Sequence, residues 1–145
     1  MKIQDLSIGD WVAYNNDNYQ ILNLGALAYV AGVGLQYRSY LALTKGYDIH
    51  DDVDIGDISP VPLTLEILEK NGWELDKYRI WHRLSVDDNT HANVFLGVER
   101  CRIEVMRKSG DSDYFSCYAD VEPEPYVHNL QRVLRLVGVD KEIVL

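Results

Sequence analysis

Four histidines, two cysteines and a surplus of carboxylates are what this 145-residue chain offers for chemistry. The densest group is Asp48-Ile49-His50-Asp51-Asp52-Val53-Asp54-Ile55-Gly56-Asp57. Carboxylates so close together could hold a divalent cation through oxygen ligands. A calcium loop, however, needs a glutamate at a fixed distance beyond a turn glycine, and none stands there. The segment is read as an acidic, solvated loop. His50, His82, His91 and His128 are scattered, with no His-x-x-x-His pair, so no zinc site is expected. Cys101 or Cys117 with His128 would make a nucleophile–base pair. Both cysteines fall on strand positions that face a core, whereas His128 is expected on the outer side of a helix. The chain has no Gly-x-Ser-x-Gly elbow, dinucleotide fingerprint or phosphate-binding loop, and Gly32-Val33-Gly34 is too short to count as one. No catalytic residue, metal or cofactor is assigned. An enzyme of unrecognised type is retained as an alternative.

Binding chemistry is better represented. His128, Arg132 and Arg135 recur at i, i+4 and i+7 of a C-terminal helix, with Gln131 beside them. Guanidinium groups in that spacing could hold a carboxylate, a phosphate or an acidic partner. They would equally suit a solvated helix face, where arginines near the C-terminus complement the dipole. Trp73, Tyr78, Trp81 and His82 form an aromatic group between two units of the chain. They read as a groove for a peptide or a base, or, for Trp73 and Trp81, as core. The polar tip Asn15-Asn16-Asp17-Asn18 is a third candidate surface.

These side chains must be positioned by two kinds of element. Around Gly9-Asp10 a turn launches a strand in which Trp11 and Ala13 point one way, Val12 and Tyr14 the other. Asn15 to Asn18 is expected to be a hairpin loop. Tyr19 to Leu24 returns, Ala26 to Val30 continues the sheet, and Gly32 and Gly34 break it. Leu35 to Leu43 is the longest strand, Gly46 marks a turn, and Ile55 to Ile58 closes the unit. Short strands at this spacing predict an SH3-like small β-barrel over residues 1–59.

Residues 60–145 read as an α+β unit. Thr64 is an N-cap, with Leu63 and Leu68 as a hydrophobic staple. Asn71-Gly72 ends that helix, and Trp73 should pack back on it. Strands follow at Tyr78–Leu84 and Asn93–Gly97, then a hairpin of Arg102–Lys108 with Tyr114–Ala119. A three-residue turn at Ser109-Gly110-Asp111 would set Cys101 opposite Ala119 and Ile103 opposite Cys117. The two thiols would then be diagonal neighbours on the buried face, as free cysteines. Arg102, Glu104 and Lys108 would face water. Tyr126, Val127, Leu130, Val133, Leu134 and Val137 make one apolar helix face, with Pro125 at the first helical position and Gly138 as the left-handed cap. Glu142 to Leu145 is expected to add an edge strand. The fold class is therefore α+β: a small β-barrel, a bridging helix, and an antiparallel sheet under a C-terminal helix.

The net charge is −9, from 23 acidic and 14 basic residues. Proteins that grip phosphate backbones usually carry a basic patch, so this balance argues against bulk nucleic-acid binding and leaves room only for a local basic stripe. Arg38, Lys45, Arg79 and Arg83 would have to gather on one face to provide such a stripe. No apolar run is long enough for a membrane span, and Met1 to Asp5 lacks a signal-peptide core, so a cytoplasmic protein is expected.

Three stretches resemble a family of uncharacterised proteins of prophages and mobile elements in gut Bacteroidetes. Pro60-Val61-Pro62-Leu63-Thr64-Leu65-Glu66-Ile67-Leu68, ending at Asn71-Gly72-Trp73, is similar to that family's Pro-Ile-Pro-Leu-Thr-Glu-Glu-x-Leu…Gly-Phe stretch. Tyr126-Val127-His128-Asn129-Leu130-Gln131 is similar to its Tyr-x-His-x-Leu-Gln stretch, and Asp5-Leu6-Ser7-Ile8-Gly9-Asp10-Trp11-Val12 to its opening. Asp10 replaces an amide there, Val61 and Leu65 replace Ile and Glu, and Arg132 stands where Asn is frequent. The resemblance implies a protein borne by a phage or mobile element and implies no activity. It marks His128 and Gln131 as shared polar positions. The expectation is a non-enzymatic binding or adaptor protein with a protein partner, with a homodimer supported by the sheet edge. Nucleic-acid binding through the first unit is the alternative.

Overall fold

Alternating polar and apolar residues make two antiparallel sheets, each with its own core. The computed structural model describes residues 6–31, 34–98, 100–109, 112–121 and 125–145, and over 26–38 and 109–121 the backbone alone. Gly32-Val33 and Gly110-Asp111 lie outside the described residues, as do the side chains of Arg38, Phe115 and Cys117. The chain divides into two units, Met1–Val61 and Pro62–Leu145.

The first unit holds β1 (Trp11–Tyr14), β2 (Asp17–Ala31), β3 (Gly34–Lys45), β4 (Asp48–Asp54), a 3₁₀ turn (Ile55–Asp57) and β5 (Ser59–Pro60). Their order in the sheet is β4-β3-β2-β1-β5. The first hairpin is tighter than the expected loop over Asn15 to Asn18. Tyr14 pairs with Asp17, so only Asn15 and Asn16 turn, with φ of 50° and 65°. Asparagine tolerates that left-handed backbone, and two such residues match the twist of a hairpin. The acidic segment is also a correction, since Asp48–Asp54 forms β4 along β3 rather than a solvated loop. Only Val53 of this strand is buried. An edge strand needs backbone pairing on one side, and carboxylates on its free side oppose pairing with another chain. Asp54 Oδ1 then accepts Gly56 N–H at 2.8 Å and caps the 3₁₀ turn. Pro60, which has no N–H to donate, sits suitably on the edge.

Val12, Tyr19, Ile21, Leu41, Leu43 and Val53 form the core of this unit with Leu6 and Ile58. The rings of Tyr14 and His50, on strands three places apart in the sheet, lie 5.3 Å from each other. The sheet is therefore curled, but it is not a closed barrel, because β4 and β5 end it on opposite sides.

The second unit holds α1 (Leu65–Lys70), β6 (Glu74–Leu75), β7 (His82–Asp87), β8 (Thr90–Leu96), β9 (Cys101–Ser109), β10 (Ser112–Val121) and α2 (Val127–Leu136). The sheet is a meander in the order β10-β9-β8-β7-β6. α1 starts where Thr64 Oγ1 accepts Ile67 N–H at 3.3 Å and ends at Asn71, and Leu63, Leu68 and Trp73 are buried. Tyr78 to Trp81 belongs to a turn, not to a strand. Asp76 Oδ1 accepts N–H from Ile80 (2.8 Å) and Trp81 (3.2 Å), and Asp76 N–H donates to the Trp81 carbonyl at 2.7 Å. Those bonds, with Arg79 at φ 57°, delay β7 to His82.

The cysteine register also differs from expectation. Ser109 pairs with Ser112, and a bulge follows between Phe115 and Cys117. Cys101 therefore faces Val121, and Cys117 faces Val105, four residues along β9 from Cys101. The two cysteine positions do not stand on adjacent rungs. Cys101 itself is fully buried.

Helix α2 begins two residues later than Pro125. The Pro125 carbonyl accepts Leu63 N–H at 2.8 Å and Tyr126 bridges Pro62, which holds this stretch extended. Tyr126 is the N-cap, and its N–H donates to Asn129 Oδ1 at 3.0 Å. The helix lies beside β9 and β10. It buries Val127, Leu130, Val133 and Leu134, while Cys101, Ile103 and Val105 are buried on β9. Arg107 of β9 donates to the Val137 carbonyl at 2.7 Å, a cation at the helix C-terminus. Gly138 has φ 72°, the left-handed cap expected there.

Beyond it, Val139 and Ile143 are buried, but residues 139–145 form no strand. Instead Asn71 clamps the tail. Its Nδ2 donates to the Val144 carbonyl (2.7 Å), and its Oδ1 accepts Val144 N–H (2.8 Å).

Candidate functional site

Strand alternation in the second unit gives its sheet two unlike faces. His82 and Leu84 of β7, Ala92 and Val94 of β8, and Cys101, Ile103 and Val105 of β9 are all buried on one face. The other face carries Trp81, Arg83, Asn93, Phe95, Arg102 and Glu104. Here Arg83 faces Asn93 and Asn93 faces Glu104 in register. Arg83 Nε donates to Asn93 Oδ1 at 3.0 Å, and Asn93 Nδ2 donates to Glu104 Oε1 at 3.1 Å. Asn93 and Glu104 are both buried. Glu104, expected to face water, is thus enclosed in a polar ladder, because an amide on the next strand supplies the donor that a buried carboxylate requires.

At one end of this ladder the rings of Trp81 and Phe95 meet, with centroids 5.7 Å apart and planes tilted by 51°. Phe95 lies against the backbone of Gly97. A Cβ at that glycine would come within 2.6 Å of the phenyl ring. Ile80, Trp81, Phe95, Arg100 and Arg102 line a depression of about 210 Å³. Phe95, Gly97, Val98 and Arg100 line a second, of about 510 Å³. Arg100 and Phe95 are common to both. Phe95, Arg100 and Arg102 were not among the candidates drawn from the sequence. The i, i+2 spacing of Arg100 and Arg102 beside a strand containing Phe95 is the signal that could have found them.

The expected aromatic group does not form one groove. Trp73 and His82 are buried, and neither Trp73 Nε1 nor His82 Nδ1 has a hydrogen-bond partner. Lys141 Nζ lies 5.9 Å above the Trp73 ring. Tyr78 is exposed, with Lys77 Nζ 4.9 Å from its ring centroid. With Leu75, Lys77, Arg83 and Ser85 it lines a cleft of about 590 Å³. Trp81 alone of the four belongs to the depression beside Phe95.

The helical group is divided in the same way. Arg132 and Arg135 are exposed, but His128 and Gln131 are buried, which corrects the outward placement of His128. The buried arc of α2 is wider than its apolar stripe, and the Tyr126 ring stacks on His128 at 5.7 Å and 12°. His128 and Gln131 are therefore packed in the interior.

The first unit brings together Tyr14, Tyr19, Asp48 and His50. Tyr19 Oη donates to Asp48 Oδ2 at 3.1 Å and lies 3.3 Å from His50 Nε2. Burial, then the bond to Asp48, pushes the Tyr19 phenol above its ordinary pKa. Lys45 is bonded to Asp17, whose carboxyl it holds below the ordinary range. Arg79 and Arg83 belong to the second unit. Of the four cations named for a basic stripe, Lys45 is thus engaged in an ion pair, and Arg79 and Arg83 lie in a different unit from it. Among the described residues no group of three His, Cys, Asp or Glu side chains is placed to hold a metal ion, and no helix is long and apolar enough to cross a membrane. No protein-family model matches the chain, and neither does any curated protein or solved structure.

Proposed function

We propose that this chain is a non-enzymatic, cytoplasmic binding protein of a phage or mobile element that acts through protein contacts. The observation that carries this reading is the cleft of about 590 Å³ on the edge of the second sheet. Leu75 and Tyr78 line it while 49% and 68% exposed, and Ile80, 51% exposed, follows in the same turn. Large apolar side chains gathered at a concave edge suit a partner that brings its own apolar residues. Lys77 and Arg83, with Glu74 and Asp76 in the same lining, add charges of both signs that would orient the partner.

The first unit supports the adaptor reading as an SH3-like module. Support comes from the meander in which β5 returns to β1 after a 3₁₀ turn. In this reading α2 is the cover of the second sheet's apolar face, leaving the cleft edge to the partner.

The test is affinity capture of the tagged chain from its native host, with and without nuclease, alongside a Leu75→Ser/Tyr78→Ser variant. A stoichiometric protein that survives nuclease and is lost from the variant supports the reading. A protein retained equally by both chains removes the cleft from it. Self-association lost in the variant would make the partner a second copy of the chain.

A further inference from the structure

We propose that the Trp81–Phe95 face of the second sheet binds single-stranded nucleic acid, with bases stacked on the two rings and phosphates paired with Arg100 and Arg102. This goes beyond the protein-binding cleft and does not depend on it.

The geometry supplies what a stacking site needs. Trp81 and Phe95 are each only half-buried, so ring surface remains for a ligand. The two depressions meet at Phe95 and Arg100 and form adjacent compartments. Gly97 fixes Phe95 from behind, since the ring occupies the space a side chain there would take. Bases stack on aromatic rings with little sequence preference because every base has a π-face.

The cations argue for phosphate. Both cations that line the Trp81–Phe95 depression are arginines, at 100 and 102, and a planar guanidinium both stacks on bases and pairs with phosphate oxygens. Glu104 is turned to Asn93 and buried, so its carboxylate does not confront a ligand. Asp120 stands opposite Arg102 in backbone register, and Arg100 is exposed on the connection before β9. Regularly spaced phosphates alternating with flat bases match alternating guanidinium and ring better than an acidic peptide does. The overall charge of −9 repels any polyanion, so binding should be weak at physiological salt and strengthen as salt falls.

The experiment uses the full chain with fluorescein-labelled oligothymidylate, read by anisotropy across a salt series and by tryptophan quenching. Two phosphate contacts predict a slope of log K against log salt of about −1.4. Arg100→Ala should weaken binding and make the slope about 0.7 less steep. Phe95→Ala should weaken it about 5- to 150-fold. Phe95→Ala could disturb the fold, so Arg100→Ala, an exposed change checked by circular dichroism, is decisive on its own. Absence of salt-dependent binding overturns the proposal. So does binding that Arg100→Ala leaves unchanged, or binding of an acidic tyrosine-containing copolymer in place of the oligonucleotide.

Discussion

Removing the Asn71 side chain should release the C-terminal tail, and the structure sets the size of the effect. Asn71→Ala deletes three bonds: Nδ2 to the Ile67 carbonyl (2.8 Å), and the reciprocal pair with Val144 (2.7 and 2.8 Å). The first matters least, because the Ile67 carbonyl still accepts Asn71 N–H at 3.2 Å. The tail pair, at about 0.5–1.5 kcal/mol net per bond, contributes about 1–3 kcal/mol. If the tail then frays, Ile143, fully buried, leaves the core and adds about 1.5–3 kcal/mol. We expect Asn71→Ala to cost about 2–4 kcal/mol and Ile143→Ala about 2–5 kcal/mol. The double variant should cost less than their sum, because each change frees the same segment. Asn71→Asp is the sharper probe. Its carboxylate could still accept Val144 N–H, but its second oxygen would confront the Ile67 and Val144 carbonyls. That environment raises the carboxyl pKa above its unfolded value. The variant should therefore be most stable in acid and lose stability as pH rises through the folded pKa. Urea unfolding followed by Trp73 fluorescence, with hydrogen exchange at the Val144 amide, reads all four proteins. A loss below about 0.5 kcal/mol for Asn71→Ala, or strict additivity with Ile143→Ala, would refute the clamp.

Three further outcomes are expected. Asp76 is held below its ordinary pKa first by the Ile80 N–H, then by those of Trp81 and Tyr78, and by the charge of Arg83, so its contribution is present above about pH 4 and lost as pH falls. Asp76→Asn should lower the urea midpoint at neutral pH, with the gap to the parent closing in acid; a gap independent of pH would contradict this. Gly97→Ala places a Cβ 2.6 Å from the Phe95 ring and 2.8 Å from the Arg100 carbonyl oxygen, and backbone cannot swing away. It should cost about 1–3 kcal/mol and alter the near-ultraviolet signal of Trp81, and an unchanged melting temperature would show that the ring is free to move. His82 is buried with Nδ1 lacking a hydrogen bond, so His82→Leu should be neutral or stabilising by up to about 1 kcal/mol. A loss of more than that in chemical denaturation would mean the imidazole contributes an interaction of its own.

Elements set by local chemistry were readable from the chain. Thr64 at the N-cap, Asn71-Gly72 at the stop and Gly138 at the second stop act over a few residues, and both helices end where those residues direct. Elements set by distant partners were not. Proline's fixed φ suits the first position of a helix, but the Pro125 carbonyl is claimed by Leu63, far away in sequence, and the helix opens later. β4 carries one buried side chain, so no alternation reveals it, and only pairing with β3 makes it a strand. Asn71 reads as a terminator, whereas its amide serves a segment 73 residues downstream.

The candidate site shows the same division more sharply. Binary alternation places Asn93 and Glu104 on a polar face and therefore in water. Register puts them on one line across β8 and β9, and there they satisfy each other and become buried. Register depends on connection length: the β9–β10 strands resume pairing at Ser109 and Ser112, and the bulge adds a further residue, so the Cys101–Cys117 relation moves by two positions. A one-residue error sends every side chain of a strand to the wrong face, while a two-residue error keeps the face and changes the neighbours. The observed register differs from the expected one by two residues, the second kind of shift. Ile103 and Val105 stay inside under either register, whereas the line from Arg83 to Glu104 beside Phe95 depends on the pairing of β7, β8 and β9. A binding face on a sheet is defined by neighbours rather than by sidedness, so its arginines and rings came into view only when the strands were set side by side.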